Sequence, residues 1–342
     1  MSDRLRPSLI ASLLLGLLAF PSAASAQQSA GWHDPSPHRT TLVTVDEGVQ
    51  LEVLDWGGAG RAIVLLAGLG DTAHVYDDFA PLLAREHHVY GVTRRGHPGS
   101  FTPPAGYEFA RLAEDVVRVV KALALTKPVI VGHSIAGEEL HVLGARYASE
   151  VGGLVYVDAA FNRTGGSKEY EAVAGKLPPA PAPEAKDLAS VAALRAFRTK
   201  IDGASLPEAH LRARYVVNAD GTVGGAWMPA LPIRQAFTSE IRRISESYNP
   251  ERIRVPALAI YAVPKSPADL MQPWYKADDP VVRQNVETLH KLARERFRRH
   301  VEWFESFAER GQVSEIPGAH HLFITNPREV LRQIEAFVSS IT

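Results

Sequence analysis

The sequence predicts an α/β fold: a mostly parallel, eight-stranded sheet flanked by helices and carrying a helical cap insertion. Three observations lead there. Short apolar segments alternate with helix-period patterns along most of the chain, the signature of strands joined by crossover helices. Several of these segments, among them Ile63-Val64-Leu65-Leu66 and Val129-Ile130-Val131, are apolar without a break, as strands buried on both faces must be. The alternation then fails between Asn162 and Arg254, where structure of another kind is expected.

In chain order, the first segment carries a processing signal. Asp3, Arg4 and Arg6 form a short region of net positive charge, Leu9 to Phe20 is almost wholly apolar, and Ala24-Ser25-Ala26 offers a small-residue cleavage site before Gln27. This layout predicts a signal peptide over residues 1–26 and a secreted or periplasmic mature protein. The apolar run is too short to cross a bilayer, which needs about 20 residues, so no stable membrane insertion is expected after its removal. Residues 27–39 are polar, with Gly31, Pro35 and Pro37, and read as an extended arm.

Strands are expected at 41–45, 50–56, 62–67, 88–93, 128–131, 154–157, 257–262 and 312–316. Helical patterns between them cover 75–85, 109–123, 138–148 and 327–339; in the last, Val330, Leu331, Ile334 and Phe337 form one stripe behind Pro327. The interruption opens on the proline-rich stretch Leu177–Glu184, which excludes a regular helix or central strand. Helices near 188–200, 207–216 and 234–247 follow, so residues 162–254 read as a cap over the carboxyl edge of the sheet, with the core formed by 27–161 and 255–342. Arg294, Arg296, Arg298 and Arg299 alternate with Glu295 and Phe297 at helical spacing and suit a solvated helix face.

Composition removes several function classes. Among 342 residues, 46% are hydrophobic and 22% charged, with a formal net charge of -1, so neither nucleic acid nor an anionic membrane is an expected partner. Cysteine is absent, which excludes disulfides, a thiolate nucleophile, zinc-thiolate sites and iron–sulfur clusters.

The chemistry concentrates in Val129-Ile-Val-Gly-His-Ser-Ile-Ala-Gly137. A buried strand runs into Ser134, and a helical pattern follows at once, the context of a nucleophile elbow. So sharp a turn demands small residues two before and two after the serine; here they are Gly132 and Ala136. Serine needs a base to take its proton and an acid to orient that base. On such a sheet the chain order is serine, acid, histidine. Pro317-Gly-Ala-His-His-Leu-Phe323 offers the base: counting back from Phe323 and Asn326 favours His320, which is preferred, and counting forward from Pro317-Gly318 favours His321, the alternate. The acid is Asp158, closing the sixth strand at the catalytic edge, with Asp269 beyond the seventh strand as the alternate. An oxyanion hole would take the N–H of Ile135 and, from the glycine-rich loop Gly68-Leu69-Gly70, that of Leu69.

These residues resemble the α/β-hydrolase superfamily, in its serine esterase, lipase and epoxide-hydrolase-like branch with a cap. The resemblance rests on Leu66-Ala-Gly-Leu-Gly70, Thr93-Arg-Arg-Gly-His-Pro-Gly-Ser100, Gly132-His-Ser-Ile-Ala-Gly137 and Pro317-Gly-Ala-His-His321. It departs from the pattern at Ala136, at Ala67 where histidine is common, and at Thr93 and Pro98, whose loop therefore reads as structural. It implies the α/β-hydrolase fold and a serine mechanism, acyl transfer through Ser134. A small-molecule, ester-like substrate is expected, with an apolar pocket under the cap from among Phe197, Leu206, Tyr215, Trp227, Met228 and Phe237. The histidines do not show metal-ligand spacing with carboxylates, and neither cofactor nor metal is expected. Other cofactor-free chemistry on the same triad, carbon–carbon hydrolysis or a haloperoxidase-like reaction, and a non-catalytic binding protein are the alternatives.

Overall fold

The computed structural model describes residues 32–164, 168–246 and 251–341. The expected signal peptide at 1–26, with its cleavage site, lies outside the described residues.

Eight strands form one sheet: β1 (Arg39–Asp46), β2 (Val49–Gly57), β3 (Ala62–Leu66), β4 (His88–Val92), β5 (Val129–His133), β6 (Gly153–Val157), β9 (Ala257–Ala262) and β10 (Gly311–Ile316). Their spatial order is β1-β2-β4-β3-β5-β6-β9-β10. The β1–β2 and β2–β4 pairs are antiparallel, and every pair from β4 to β10 is parallel. β3, β5 and β6 sit centrally, and all five residues of β5 and of β6 are buried, which is why, His133 apart, their sequences are apolar or small. Helices α2 (Phe109–Ala122), α3 (Ala136–Arg146) and α10 (Pro327–Ser340) cover the sheet. α10 starts at Pro327, whose missing N–H costs nothing at a helix N-terminus, and buries Val330, Ile334, Phe337 and Val338.

Three expectations need correction. The helix expected over 75–85 is two pieces, a 3-10 turn at Ala73–Tyr76 and the single turn α1 (Ala80–Leu83). Pro81 explains the break, since it tolerates a first turn but would interrupt a helix running on from residue 75. The helix expected over 207–216 stops at Arg214 (α6, Glu208–Arg214), and the β-branched run after it pairs as a hairpin, β7 (Tyr215–Val217) with β8 (Val223–Ala226). Gly221, at φ +83°, makes the turn. Most of the 28-residue helix α8 (Pro280–Phe307) went unread, because its long polar face dilutes the apolar stripe of Val282, Val286, Leu289, Phe304 and Phe307. The arginines expected on a solvated face lie on it; Arg294 pairs with Glu315, and Arg296 with His300.

Between β6 and β9 the chain forms α4 (Lys168–Ala174), α5 (Val191–Asp202), α6, the hairpin and α7 (Leu231–Glu246). α5, α6 and the hairpin enclose a small core of Val191, Leu194, Leu206, Leu211 and Val223, against which Phe197 packs. α7 contributes Ile233, Phe237 and Ile244 to a second cluster, which also holds Ile135 of the main fold. This insertion therefore rests directly on the residue that follows Ser134.

Candidate active site

β5 delivers Ser134 to the carboxyl edge of the sheet, and α3 begins two residues later. Ser134 adopts φ +56°, and Asp158, one residue past β6, adopts φ +44°. Left-handed backbone is costly for a residue with a side chain, so the packing around both turns must enforce it. A Cβ on Gly132 would stand 3.0 Å from that of Ala136, which fits the two small residues expected there. The stricter demand was missed: a Cβ on Gly137 would meet the Ala159 carbonyl oxygen at 2.1 Å, leaving only glycine possible.

Three side chains then converge. His320, between β10 and the single turn α9 (Leu322–Thr325), places Nε2 2.8 Å from Ser134 Oγ. Its Nδ1 lies 2.6 Å from Asp158 Oδ2. The other Asp158 oxygen accepts the Ala262 N–H at 3.0 Å, which fixes the carboxylate plane from the neighbouring strand. Of the two histidines, His320 is thus the one that joins serine to acid. His321 points elsewhere, with Nε2 3.5 Å from Asp71 Oδ2. Asp269 stands apart in a 3-10 turn, where its Oδ2 accepts the N–H groups of Lys265 and Ser266 at 2.7 and 2.9 Å.

The backbone N–H groups of Leu69 and Ile135 make no hydrogen bond to another backbone group among the described residues. The loop bearing Leu69 is held by Arg94, from the Thr93–Ser100 loop that was expected to be structural. Its Nη2 donates to Ala67 O at 2.6 Å and its Nη1 to Gly68 O at 3.2 Å, while Nε pairs with the buried Glu139. Thr93, standing where aspartate is usual, donates to Glu52 at 2.7 Å and accepts the Ala73 N–H, a structural part as expected. His133 also escaped notice: its buried ring meets the His320 carbonyl oxygen at 3.0 Å, so Nε2 must carry the proton and donate. Burial, with His320 and His321 nearby, pushes its basicity well below the usual histidine range and keeps it neutral.

A cavity of about 250 Å³ opens beside His320. Its walls combine Ile201, Leu206 and Ile324 with Arg198, Asp202, His210, Arg214 and Asp71. Asp71 is buried against Arg214, His210 and His321. Burial alone would raise its pKa, but the His321 hydrogen bond and the charges of His210 and Arg214 prevail and hold the carboxyl far below the usual range. The apolar pocket expected under the cap is therefore of mixed polarity. Of the six side chains from among which its lining was expected, Leu206 and Tyr215 line it. Phe197 and Phe237 belong to the clusters above, Trp227 abuts the His97 ring at 5.7 Å, and Met228 is exposed. No signal in the sequence joined Asp71, His210 and Arg214, which come from distant segments.

Comparison with known proteins agrees with this fold. A model of the alpha/beta hydrolase family matches residues 63–333. A protein of Caulobacter segnis, provisionally named carbamate hydrolase RutD, is 36% identical over 121 residues, 34% of this chain and 45% of that protein. The fluoroacetate dehalogenase of a Burkholderia species is 32% identical over 107 residues, 30% of this chain and 35% of that one. The chain thus spans less than half the length of either curated relative. The crystal structure of E-2-(acetamidomethylene)succinate hydrolase superimposes with a TM-score of 0.59 at 16% identity, covering 88% of this chain and 99% of that one.

Proposed function

Because this chain belongs to the alpha/beta hydrolase family, we propose that it is a serine hydrolase cleaving small ester-like substrates through an acyl enzyme. One observation carries the proposal: Ser134 Oγ, His320 and Asp158 form a continuous hydrogen-bonded line, at 2.8 and 2.6 Å. In this mechanism His320 Nε2 takes the Ser134 proton as Oγ attacks the carbonyl carbon. Asp158 holds the imidazole in the tautomer that leaves Nε2 free to accept, and it stabilises the imidazolium that forms. The N–H groups of Leu69 and Ile135 receive the developing oxyanion. His320 returns its proton to the leaving alcohol, and water, activated by the same histidine, releases the acid. An aspartate nucleophile, as in epoxide hydrolases and haloalkane dehalogenases, is disfavoured because the elbow carries serine.

The cavity of about 250 Å³, which reaches His320 though not Ser134, would hold one end of a small substrate. Its apolar wall of Ile201, Leu206 and Ile324 suits a short hydrophobic chain. A second reading, a substrate bearing a carboxylate, is favoured by two relatives named for acting on fluoroacetate and a substituted succinate, with Arg198 and Arg214 of the same wall, now paired with Asp202 and Asp71, as the groups that would receive it. Hydrolysis of p-nitrophenyl esters of increasing length, set beside a hemisuccinate ester, separates the two. Short neutral esters turned over fastest support the first reading, and a clear preference for the hemisuccinate supports the second. No turnover of any ester or amide would overturn both.

We also propose that the protein is exported, on the charged start, the apolar run and the Ala24-Ser25-Ala26 site. N-terminal sequencing of protein from a periplasmic or culture fraction should begin at or near Gln27. Recovery from cytoplasm alone, with Met1 intact, would refute export.

A further inference from the structure

Away from the triad, the arm before β1 folds back against the turn that follows the Leu69 loop. Asp34 and His38 on the arm meet His74 and Asp77 on the turn, and their donor atoms all lie within 4.8 Å of one another. His38 Nε2 is 3.2 Å from Asp34 Oδ2 and 3.4 Å from Asp77 Oδ1. His74 Nδ1 is 3.3 Å from Asp34 Oδ2 and 3.0 Å from Asp77 Oδ2.

We propose that Asp34, His38, His74 and Asp77 form a structural Zn²⁺ site that fastens the N-terminal arm to the turn beyond the Leu69 loop. The spacing is the first argument. Ligand atoms about 2.0–2.1 Å from a tetrahedral zinc ion stand about 3.3 Å from one another; His38 Nε2 and His74 Nδ1 lie 3.2 and 3.3 Å from the shared Asp34 Oδ2, and His38 Nε2 lies 3.4 Å from Asp77 Oδ1. The donor set is the second: two imidazoles and two carboxylates suit zinc, and the two negative charges balance the ion. The third is burial. The Asp77 side chain is only 4% exposed, and its Oδ1, aimed at His38, has no hydrogen-bond partner. A buried carboxylate oxygen left without a partner is costly, and coordination would satisfy it. Outside this set, Glu52 Oε1 lies 3.7 Å from His74 Nε2, the nitrogen that would face away from the ion, an ion-pair distance rather than a hydrogen bond.

The proposal departs from the expectation that the histidines lack metal spacing with carboxylates. Each half is a short motif, Asp-x3-His and His-x2-Asp, and only the fold unites them. Asp34 and His38 lie before the stretch that the family model matches, so the site would be a property of this chain's arm. His74 follows Leu69 by five residues, and the turn that carries it also packs against α6 of the insertion. The ion would thereby hold arm, oxyanion loop and cap in register.

The test uses untagged protein equilibrated with zinc and then freed of unbound metal. Elemental analysis should give one zinc per chain, Co²⁺ exchange should give the intense visible absorption of a tetrahedral site, and chelation should lower Tm. His74→Ala and Asp77→Asn should each lose the metal and the chelator sensitivity, whereas Ser134→Ala should keep both. Should those variants fail to fold, Asp34→Asn and His38→Gln on the arm replace them, with the same loss of metal expected. A metal-free protein whose Tm ignores chelator would overturn the proposal. So would zinc retained by both variants, since the ion would then sit elsewhere, as at Asp71, His133 and His321.

Discussion

Replacing Asp158 by asparagine tests the acid of the proposed triad with little change of shape. Asp158 Oδ1 accepts the Ala262 N–H at 3.0 Å, and Oδ2 faces His320 Nδ1 at 2.6 Å. An asparagine must keep its carbonyl oxygen toward the Ala262 N–H, because an amide NH₂ placed there would oppose donor to donor. The amide nitrogen is then forced into the Oδ2 position, where it donates to His320 Nδ1. That selects the tautomer with hydrogen on Nε2, which cannot accept the proton of Ser134. In the serine proteases the same substitution lowers kcat by about 10⁴-fold, about 5 kcal/mol of transition-state stabilisation. A similar loss is expected here, because the Ala262 N–H permits no flip that would spare the tautomer. Folding stability should change by no more than about 1 kcal/mol, since the Ala262 hydrogen bond survives. Steady-state kinetics on a short p-nitrophenyl ester, with urea denaturation alongside, would measure both. A folded Asp158→Asn enzyme keeping more than about a tenth of kcat would refute the tautomer argument. Asp269→Asn is the control and should leave kcat unchanged, since that side chain only caps its own turn.

The histidine pair separates in the same assay: His320→Ala should be nearly inactive, while His321→Ala, which removes only a neighbour of Asp71, should retain most of kcat. The reverse result would transfer the base to His321. Stability should also fall on acidification below pH 6.5. Burial pushes His97 and His210 down to about 4, with Arg94 adding to the effect at His97. Between pH 6.5 and 4 the unfolded chain therefore binds protons that the native state refuses, so unfolding free energy drops with pH, by about 2 kcal/mol per histidine at pH 5. A urea midpoint identical at pH 7.5 and pH 5 would contradict that reading.

The central strands were legible because a doubly covered sheet writes itself as uninterrupted apolar runs, as in Val129-Ile130-Val131. Ser134 was legible for a related reason: its turn needs small neighbours at fixed offsets, a constraint that is local. The choice between His320 and His321 was not, because adjacent residues share every local signal and only the direction of each ring separates them. Asp158 could be named as an acid candidate from its place at a strand end, but its distance to His320 depends on a loop that returns 162 residues later. Arg94, His133 and the Asp71–Arg214 pair were hidden because their meaning lies wholly in long-range contacts. The same holds for Asp34, His38, His74 and Asp77, two unremarkable motifs until the arm folds back. The short hairpin after Arg214 was lost to a helix-like pattern whose β-branched end, Val216-Val217, was the available warning.

The central claim, that Ser134 is a nucleophile raised by His320, is tested most directly by covalent trapping. The protein should be treated with a fluorophosphonate, and the adduct located by intact mass and peptide mapping. The account predicts one phosphonyl group per chain, carried on the peptide containing Ser134, and no adduct on folded Ser134→Ala. An adduct that persists on Ser134→Ala, or a wild-type protein that hydrolyses esters yet takes no label, would contradict it.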